Sequence, residues 1–186
     1  MMRLFIAIDL PKKIKRELAL ISFGLPQARW VPHEQLHLTL RFLGEVDGAF
    51  FQDIKSILES ISGSSFPLTL YGLGCFPPRR DPQVLWVGVG KSVELMVLRR
   101  RVDRCLAKLG IALESRKFSP HITLARTRKT SLARITRFLV DHGLFRLPEF
   151  TVSNFHLYSS ILTPKGALHR HEAEYLLSRR HILGSG

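Results

Sequence analysis

Two short stretches carry the residue types that acid–base chemistry needs: HLTL at residues 37–40 and HITL at 121–124, in a chain of 186 residues. In each, an imidazole and a hydroxyl alternate with aliphatic side chains. Successive side chains of a strand point to opposite faces, so if Leu38 and Leu40 enter the core, His37 and Thr39 emerge together, about 6.5 to 7 Å apart. The same alternation sends out His121 and Thr123, opposite Ile122 and Leu124. One such stretch reads as an ordinary half-buried strand. Two in matching places line one cleft with two imidazoles and two hydroxyls, provided that the strands face each other.

Such a set suits hydrolysis of a phosphodiester without a metal. Water loses a proton as it attacks phosphorus, and the departing ribose oxygen gains one on the far side. Two imidazoles, whose ordinary pKa lies near 6.5, can serve as base and acid close to neutral pH. Threonine hydroxyls can donate to the non-bridging oxygens as charge builds there. An arginine would strengthen that hold through charge-assisted contacts.

The elements that must position these residues follow from periodicity. Residues 3–9 alternate as a buried strand closed by Pro11, and Ile14, Leu18, Ile21 and Leu25 fall at helical spacing over 12–25. The first motif strand is expected over 35–43, with Leu36, Leu38, Leu40 and Phe42 on one face and His37, Thr39 and Arg41 on the other. A helix over 50–62 follows, then strands near 66–74 and 84–89, and a helix over 93–109 stopped by Gly110. A strand near 112–114 and the loop SRKFSP lead into the second motif. Thr130 or Ser131 can cap a fourth helix ending at Gly143, and strands near 150–158 and 172–177 finish the chain. Both halves thus share one plan. A two-unit repeat without a Gly/Ser linker implies a single bilobal α+β body, not a solenoid.

Composition narrows the partners. The hydrophobic fraction of 45% fits a globular domain, and the formal charge of +13 concentrates polyanions. Basic residues cluster at Arg79-Arg80, Arg99 to Arg101, Arg116-Lys117 and Arg126 to Lys129; the second run is the solvated face of a helix. No apolar run reaches the roughly 18 residues of a membrane span, and RLFIAIDLPKK is too short and too charged for a secretory signal. With only Cys75 and Cys105, a disulfide scaffold is excluded and a cytoplasmic setting is expected. Gly72, Gly74, Gly88 and Gly90 form neither dinucleotide nor P-loop patterns, so no nucleotide cofactor is expected. His169 and His171 with Glu172 lack a matching ligand set elsewhere, and read as a solvated, charged segment; no metal site is expected.

Taken with their surroundings, the motifs resemble the two-histidine (2H) phosphoesterases, and within them the LigT-like RNA 2′,3′-cyclic phosphodiesterases, also called 2′-5′ RNA ligases. The likeness runs from RLFIAIDLP through RWVPHEQLHLTLRFLGEV, CFPPRRDPQVLWVGV and ESRKFSPHITLAR to FTVSNFHLYSSILTPKGA. It implies two facing antiparallel sheets with helices outside, and metal-free hydrolysis of a terminal 2′,3′-cyclic phosphate on RNA to a 2′-phosphate. By resemblance His37 is the general acid, His121 the general base, Thr39 and Thr123 the phosphate-binding hydroxyls and Arg126 a further phosphate contact. The symmetry of the two motifs does not itself distinguish acid from base. Strict alternation places Arg126 with Ile122 and Leu124, so it reaches the cleft only if the strand ends, twists or bulges after Leu124. The C-terminal HRHEAEYLLSRRHILGSG departs from the family pattern.

Around this centre, Arg41 is a candidate phosphate contact or a solvated arginine, and Phe76 with Pro77, Pro78, Arg79 and Arg80 a candidate rim for a stacked base. Phe118 and Tyr158 read as core before platform, and His33 as a loop histidine. The partners expected are RNA ends bearing a 2′,3′-cyclic phosphate, with no membrane, acting on a monomer. Two further readings share the cleft: ATP-independent 2′-5′ joining, and a non-catalytic binder of RNA ends or nucleotides.

Overall fold

The computed structural model describes residues 1–77, 82–163 and 166–177. Pro78, Arg79, Arg80 and the tail with His181 lie outside these residues. The elements in chain order are β1 Met2–Asp9, α1 Lys12–Ala19, β2 Arg29–Trp30, a 3-10 turn His33–Gln35, β3 His37–Val46, α2 Gly48–Glu59, β4 Phe66–Leu68 and β5 Leu70–Phe76. They continue with β6 Val84–Val89, α3 Val93–Lys108, β7 His121–Arg126, α4 Leu132–Asp141, β8 Phe150–Val152, β9 Asn154–Thr163 and β10 Gly166–Leu176.

Two antiparallel sheets, ordered β10-β9-β1-β3 and β2-β7-β6-β5, hold one motif strand each, and β4 pairs with β8 in a third, small sheet. The duplicated plan is interleaved. The order β1-α1-β3-α2-β4-β5 recurs as β6-α3-β7-α4-β8-β9, yet β5 joins the sheet of the second half and β9 that of the first. Each half thus completes the other's sheet, which ties the lobes into one body. β3 and β7 run close together where the sheets meet.

One hydrophobic cluster serves both lobes: Leu4, Ile6 and Ile8 of β1, Leu38 and Leu40 of β3, Leu85 and Val87 of β6, and Ile122 and Leu124 of β7 belong to it. Helices close it with Ile14 and Leu18, Ile54 and Leu58, Leu95 to Leu106, and Ile135 with Phe138 near its margin. Burying each such aliphatic contributes about 1.5 to 3 kcal/mol. A one-residue slip of β3 would exchange Leu38 and Leu40 for His37 and Thr39, so the core fixes the register that presents the histidine. Asp47 and Ser92 cap α2 and α3 by accepting from Phe50 N at 2.8 Å and Leu95 N at 3.1 Å.

Several boundaries differ from those read in the sequence. The strand expected near 112–114 does not form; that backbone is irregular and is held by a side chain of β3. The single strands expected over 66–74 and 150–158 each divide, at Thr69 and Ser153, because their first three residues pair with one another and not with a lobe sheet. α1 ends at Ala19, and Leu25 packs into the core from the following loop. β10 starts at Gly166, earlier than expected, and this extension carries His169 and His171 into the first sheet.

Candidate active site

Each motif histidine opens its strand and is held in the same way. The Nδ1–H of His37 donates to the carbonyl oxygen of Gln35 at 2.7 Å, and that of His121 to the carbonyl oxygen of Ser119 at 2.8 Å. A carbonyl only accepts, so the proton of the neutral ring sits on Nδ1 in both cases. Both Nε2 atoms are therefore left bare to take a proton, or to give one after taking it. The threonines lie between bridging neighbours on the same face: Thr39 is opposite Ala7, and Thr123 is opposite Trp86.

After the threonines, alternation breaks in both strands. Thr39 pairs with Ala7 and Arg41 with Ile6, leaving Leu40 as an extra residue; Thr123 pairs with Trp86 and Ala125 with Leu85, leaving Leu124 extra. A bulge of this kind reverses the facing of the residues beyond it. It delivers Arg126, opposite Val84, to the face of His121 and Thr123, where it is exposed. The bulge is thus the local event that strict alternation lacked.

The matching bulge in β3 turns both Arg41 and Phe42 away from the faces that strict alternation gives them. Arg41, read as a candidate substrate contact on the His37 face, turns to the core side with 7% exposure. Its Nη2 donates to Ala112 O at 2.5 Å, its Nη1 lies 3.5 Å from Glu114, and its Nε lies 3.8 Å from Asp103, which also pairs with Arg99. Phe42, read as a core residue, is 68% exposed and approaches Phe5 at 6.0 Å on the cleft side.

Each imidazole has an aromatic wall. His37 packs against Phe5 at 4.9 Å, Tyr158 at 6.3 Å and His169 at 5.3 Å between ring centroids. His121 packs edge-on to Phe76 at 5.0 Å and against Trp86 at 6.3 Å. Phe76 therefore stands against the His121 ring. Phe118 does not: it lies beneath the Arg99 guanidinium at 5.4 Å. His33 pairs with the exposed Glu34 at 2.9 Å outside the site. Burial pushes the His37 pKa down to about 4, with His169 adding to the fall and the bond to Gln35 opposing it. Burial also lowers His156 and His169 and raises the Tyr158 phenol.

Sequence reading passed over Phe5, Trp86 and His156, took Tyr158 as core before platform, and took His169 and His171 as a solvated segment; all six face this surface. Period-2 spacing of His169 and His171, matched by His156 and Tyr158, was the available signal; the pairing of β9 with β10 that aligns them is not written in either strand alone.

Two facing antiparallel sheets, each presenting a His–Thr strand by one backbone device, define a phosphoesterase of the two-histidine class. The chain belongs to the LigT-like phosphoesterases, whose family model matches it twice, over residues 8–86 and 87–169. It is 38% identical to the RNA 2′,3′-cyclic phosphodiesterase of Aeropyrum pernix over 149 residues, covering 79% of this chain and 84% of that one. It is 35% identical to the protein of the same name from Thermotoga maritima, covering 91% and 92%. Its structure is similar to that of TT0787 of Thermus thermophilus, with a TM-score of 0.82, 26% identity, and 97% and 100% of the two chains covered. Among the described residues, no helix is long and apolar enough to cross a membrane.

Proposed function

We propose that the protein is an RNA 2′,3′-cyclic phosphodiesterase that hydrolyses a terminal cyclic phosphate to a 2′-phosphate. The observation that carries this reading is the pair of matched Nδ1 bonds, which leave two bare Nε2 atoms beside two hydroxyls and an arginine. The names of the relatives from Aeropyrum and Thermotoga support the substrate, and a LigT of Escherichia coli, 28% identical with a TM-score of 0.78, has been solved with 3′-AMP.

His121 Nε2 takes the proton of the attacking water as its oxygen bonds to phosphorus. His37 Nε2–H gives a proton to O3′ as the P–O3′ bond breaks, and the 2′-phosphate remains. With a pKa near 4, His37 is neutral at pH 7 while the site is empty. The anionic cyclic phosphate beside it favours the charged ring and so loads the acid when substrate arrives. Thr39, Thr123 and Arg126 hold the non-bridging oxygens as their charge builds. Phe76 and Trp86 on one side, and Phe42 and Tyr158 on the other, offer flat faces to a base.

The test is product analysis on an RNA with a 2′,3′-cyclic end, with EDTA present. The expected product carries a 2′-phosphate, and His37→Ala or His121→Ala each lowers the rate about 10² to 10⁴-fold. Full activity in either variant, or binding of RNA ends without turnover, overturns the reading.

A further inference from the structure

Three of the histidines outside the motifs gather on the cleft face of the first sheet, and their bonding has a direction. Asn154 Nδ2 donates to Glu174 Oε1, and Asn154 Oδ1 faces His156 Nε2 at 3.2 Å. That oxygen only accepts, so His156 carries its proton on Nε2 and its Nδ1 is bare. His156 Nδ1 in turn accepts from His171 Nε2–H. Donors thus run from His171 through His156 and Asn154 to the Glu174 carboxylate. The ring nitrogen left over is Nδ1 of His171, which is exposed. A carboxylate-anchored chain of this kind fixes the tautomer of each ring in it.

His169 stands two residues earlier on β10, on the same face, with its Nδ1 buried and without a hydrogen-bond partner among the described residues. It touches both Phe5 at 4.8 Å and His37 at 5.3 Å. The carboxylates nearby are engaged elsewhere: Asp9 with Lys15 at 2.6 Å, Glu172 with Ser159 at 2.6 Å and with Arg170 at 3.8 Å, and Glu174 with Asn154. Between His37 and His171 lies Tyr158, 6.3 Å from one ring and 5.4 Å from the other, and stacked on Phe5 at 5.2 Å. Tyr158 thus stands between the rings of His37 and His171, while His169, two residues from His171 on β10, touches His37 directly.

We propose that His169 and His171 form a second phosphate subsite beside His37, which takes the internal phosphodiester preceding the cyclic end and so selects an oligonucleotide over a mononucleotide. The inference rests on the phosphodiesterase reading above for its ligand. Tyr158, stacked on the buried Phe5, lies under the nucleoside that links the two phosphates. His156, Asn154 and Glu174 are positioning residues. Burial favours the neutral rings of His156 and His169 while the face is empty, and Tyr158 keeps its proton. A phosphate favours the charged rings, so oligonucleotide affinity climbs as pH falls from 8 towards 6.

Calorimetry with a dinucleotide ending in a 2′-phosphate, beside the matching nucleoside 2′-phosphate, tests this in EDTA at pH 6 and pH 8. The ratio of the two affinities cancels the titration of the terminal phosphate itself. We expect the dinucleotide to bind roughly 10-fold tighter at pH 6, which is about 1.4 kcal/mol, and the advantage to shrink at pH 8. His171→Gln, at an exposed position, should remove most of that advantage and spare the nucleoside, and His169→Gln, checked for folding by thermal melting, should remove it as well. Equal affinity of both ligands for the unmodified protein, or equal losses for both in His171→Gln, overturns the subsite. A dinucleotide preference with no hydrolysis of either cyclic form overturns the enzymatic reading and leaves the subsite standing.

Discussion

Leu40 and Leu124 occupy the same position in the two halves: each is the extra residue of a bulge lying directly after the motif threonine. Both side chains stay in the core, at 2% and 0% exposure, while the residue two further on swings to the cleft. In the first half that residue is Phe42, and in the second it is Arg126. One backbone device therefore furnishes an apolar surface on one side of the cleft and a cation on the other.

Arg126 makes this asymmetry measurable. Arg126→Ala should lower kcat/KM on a cyclic-phosphate RNA by roughly 10 to 100-fold, the scale of one or two charge-assisted hydrogen bonds at about 1.5 to 3 kcal/mol. Its melting temperature should stay close to that of the parent, because the side chain is exposed. A large thermal loss with undiminished kcat/KM would place Arg126 in the scaffold instead.

How far the sequence led can be judged at these same strands. His37, Thr39, His121 and Thr123 were legible because period 2 and committed aliphatics suffice to orient them. Arg41, Phe42 and Arg126 were not, because a bulge depends on the partner strand: Ile6 and Ala7, or Leu85 and Trp86, decide where the ladder skips. The bilobal plan was legible from the duplication, whereas the exchange of β5 and β9 between halves is a long-range pairing that no window of sequence contains. The histidines of β10 lie in a solvated segment as read, but their alignment with β9 on the cleft face is a long-range pairing of the same kind.

Arg41 carries a contrasting prediction. It is buried and reaches out to Asp103, Glu114 and the Ala112 carbonyl, and Arg99 shares Asp103. Arg41→Ala empties a buried site and leaves Asp103 to Arg99 alone, and should destabilise the fold by about 1 to 3 kcal/mol in a denaturant titration. Because the loop it holds leads to Ser119 and His121, kcat should fall as well; Arg41→Lys, which keeps the charge, should recover part of both. A raised KM with unchanged stability would return Arg41 to the cleft.

Gly74 is required by Trp86. A Cβ at position 74 would stand 2.3 Å from Trp86 Cζ2 and 2.4 Å from Cη2, so the indole lies directly on the glycine. Trp86 in turn packs on Phe76 at 5.1 Å and faces His121. Gly74→Ala should cost about 1 to 3 kcal/mol through overpacking and shift tryptophan fluorescence as the ring is displaced. Activity should fall with it. An unchanged emission spectrum would show that the indole does not rest there.

His37 titrates far from its ordinary range, and the sign of the effect can be followed in two measurements. Its folded-state pKa of about 4 lies below the unfolded value near 6.5, so at pH above 6.5 the ring is neutral in both states and stability is complete. Between 6.5 and 4 only the unfolded chain takes the proton, and stability falls; below 4 both states are charged and the loss levels off. Proton NMR of the free protein should therefore show a His37 midpoint near pH 4, and the melting temperature of the parent should drop across that window more than that of His37→Gln. Inorganic phosphate should raise the His37 midpoint, since the anion beside the ring stabilises its charged form. A midpoint near 6.5 that phosphate leaves in place would remove the substrate-loaded acid from the mechanism.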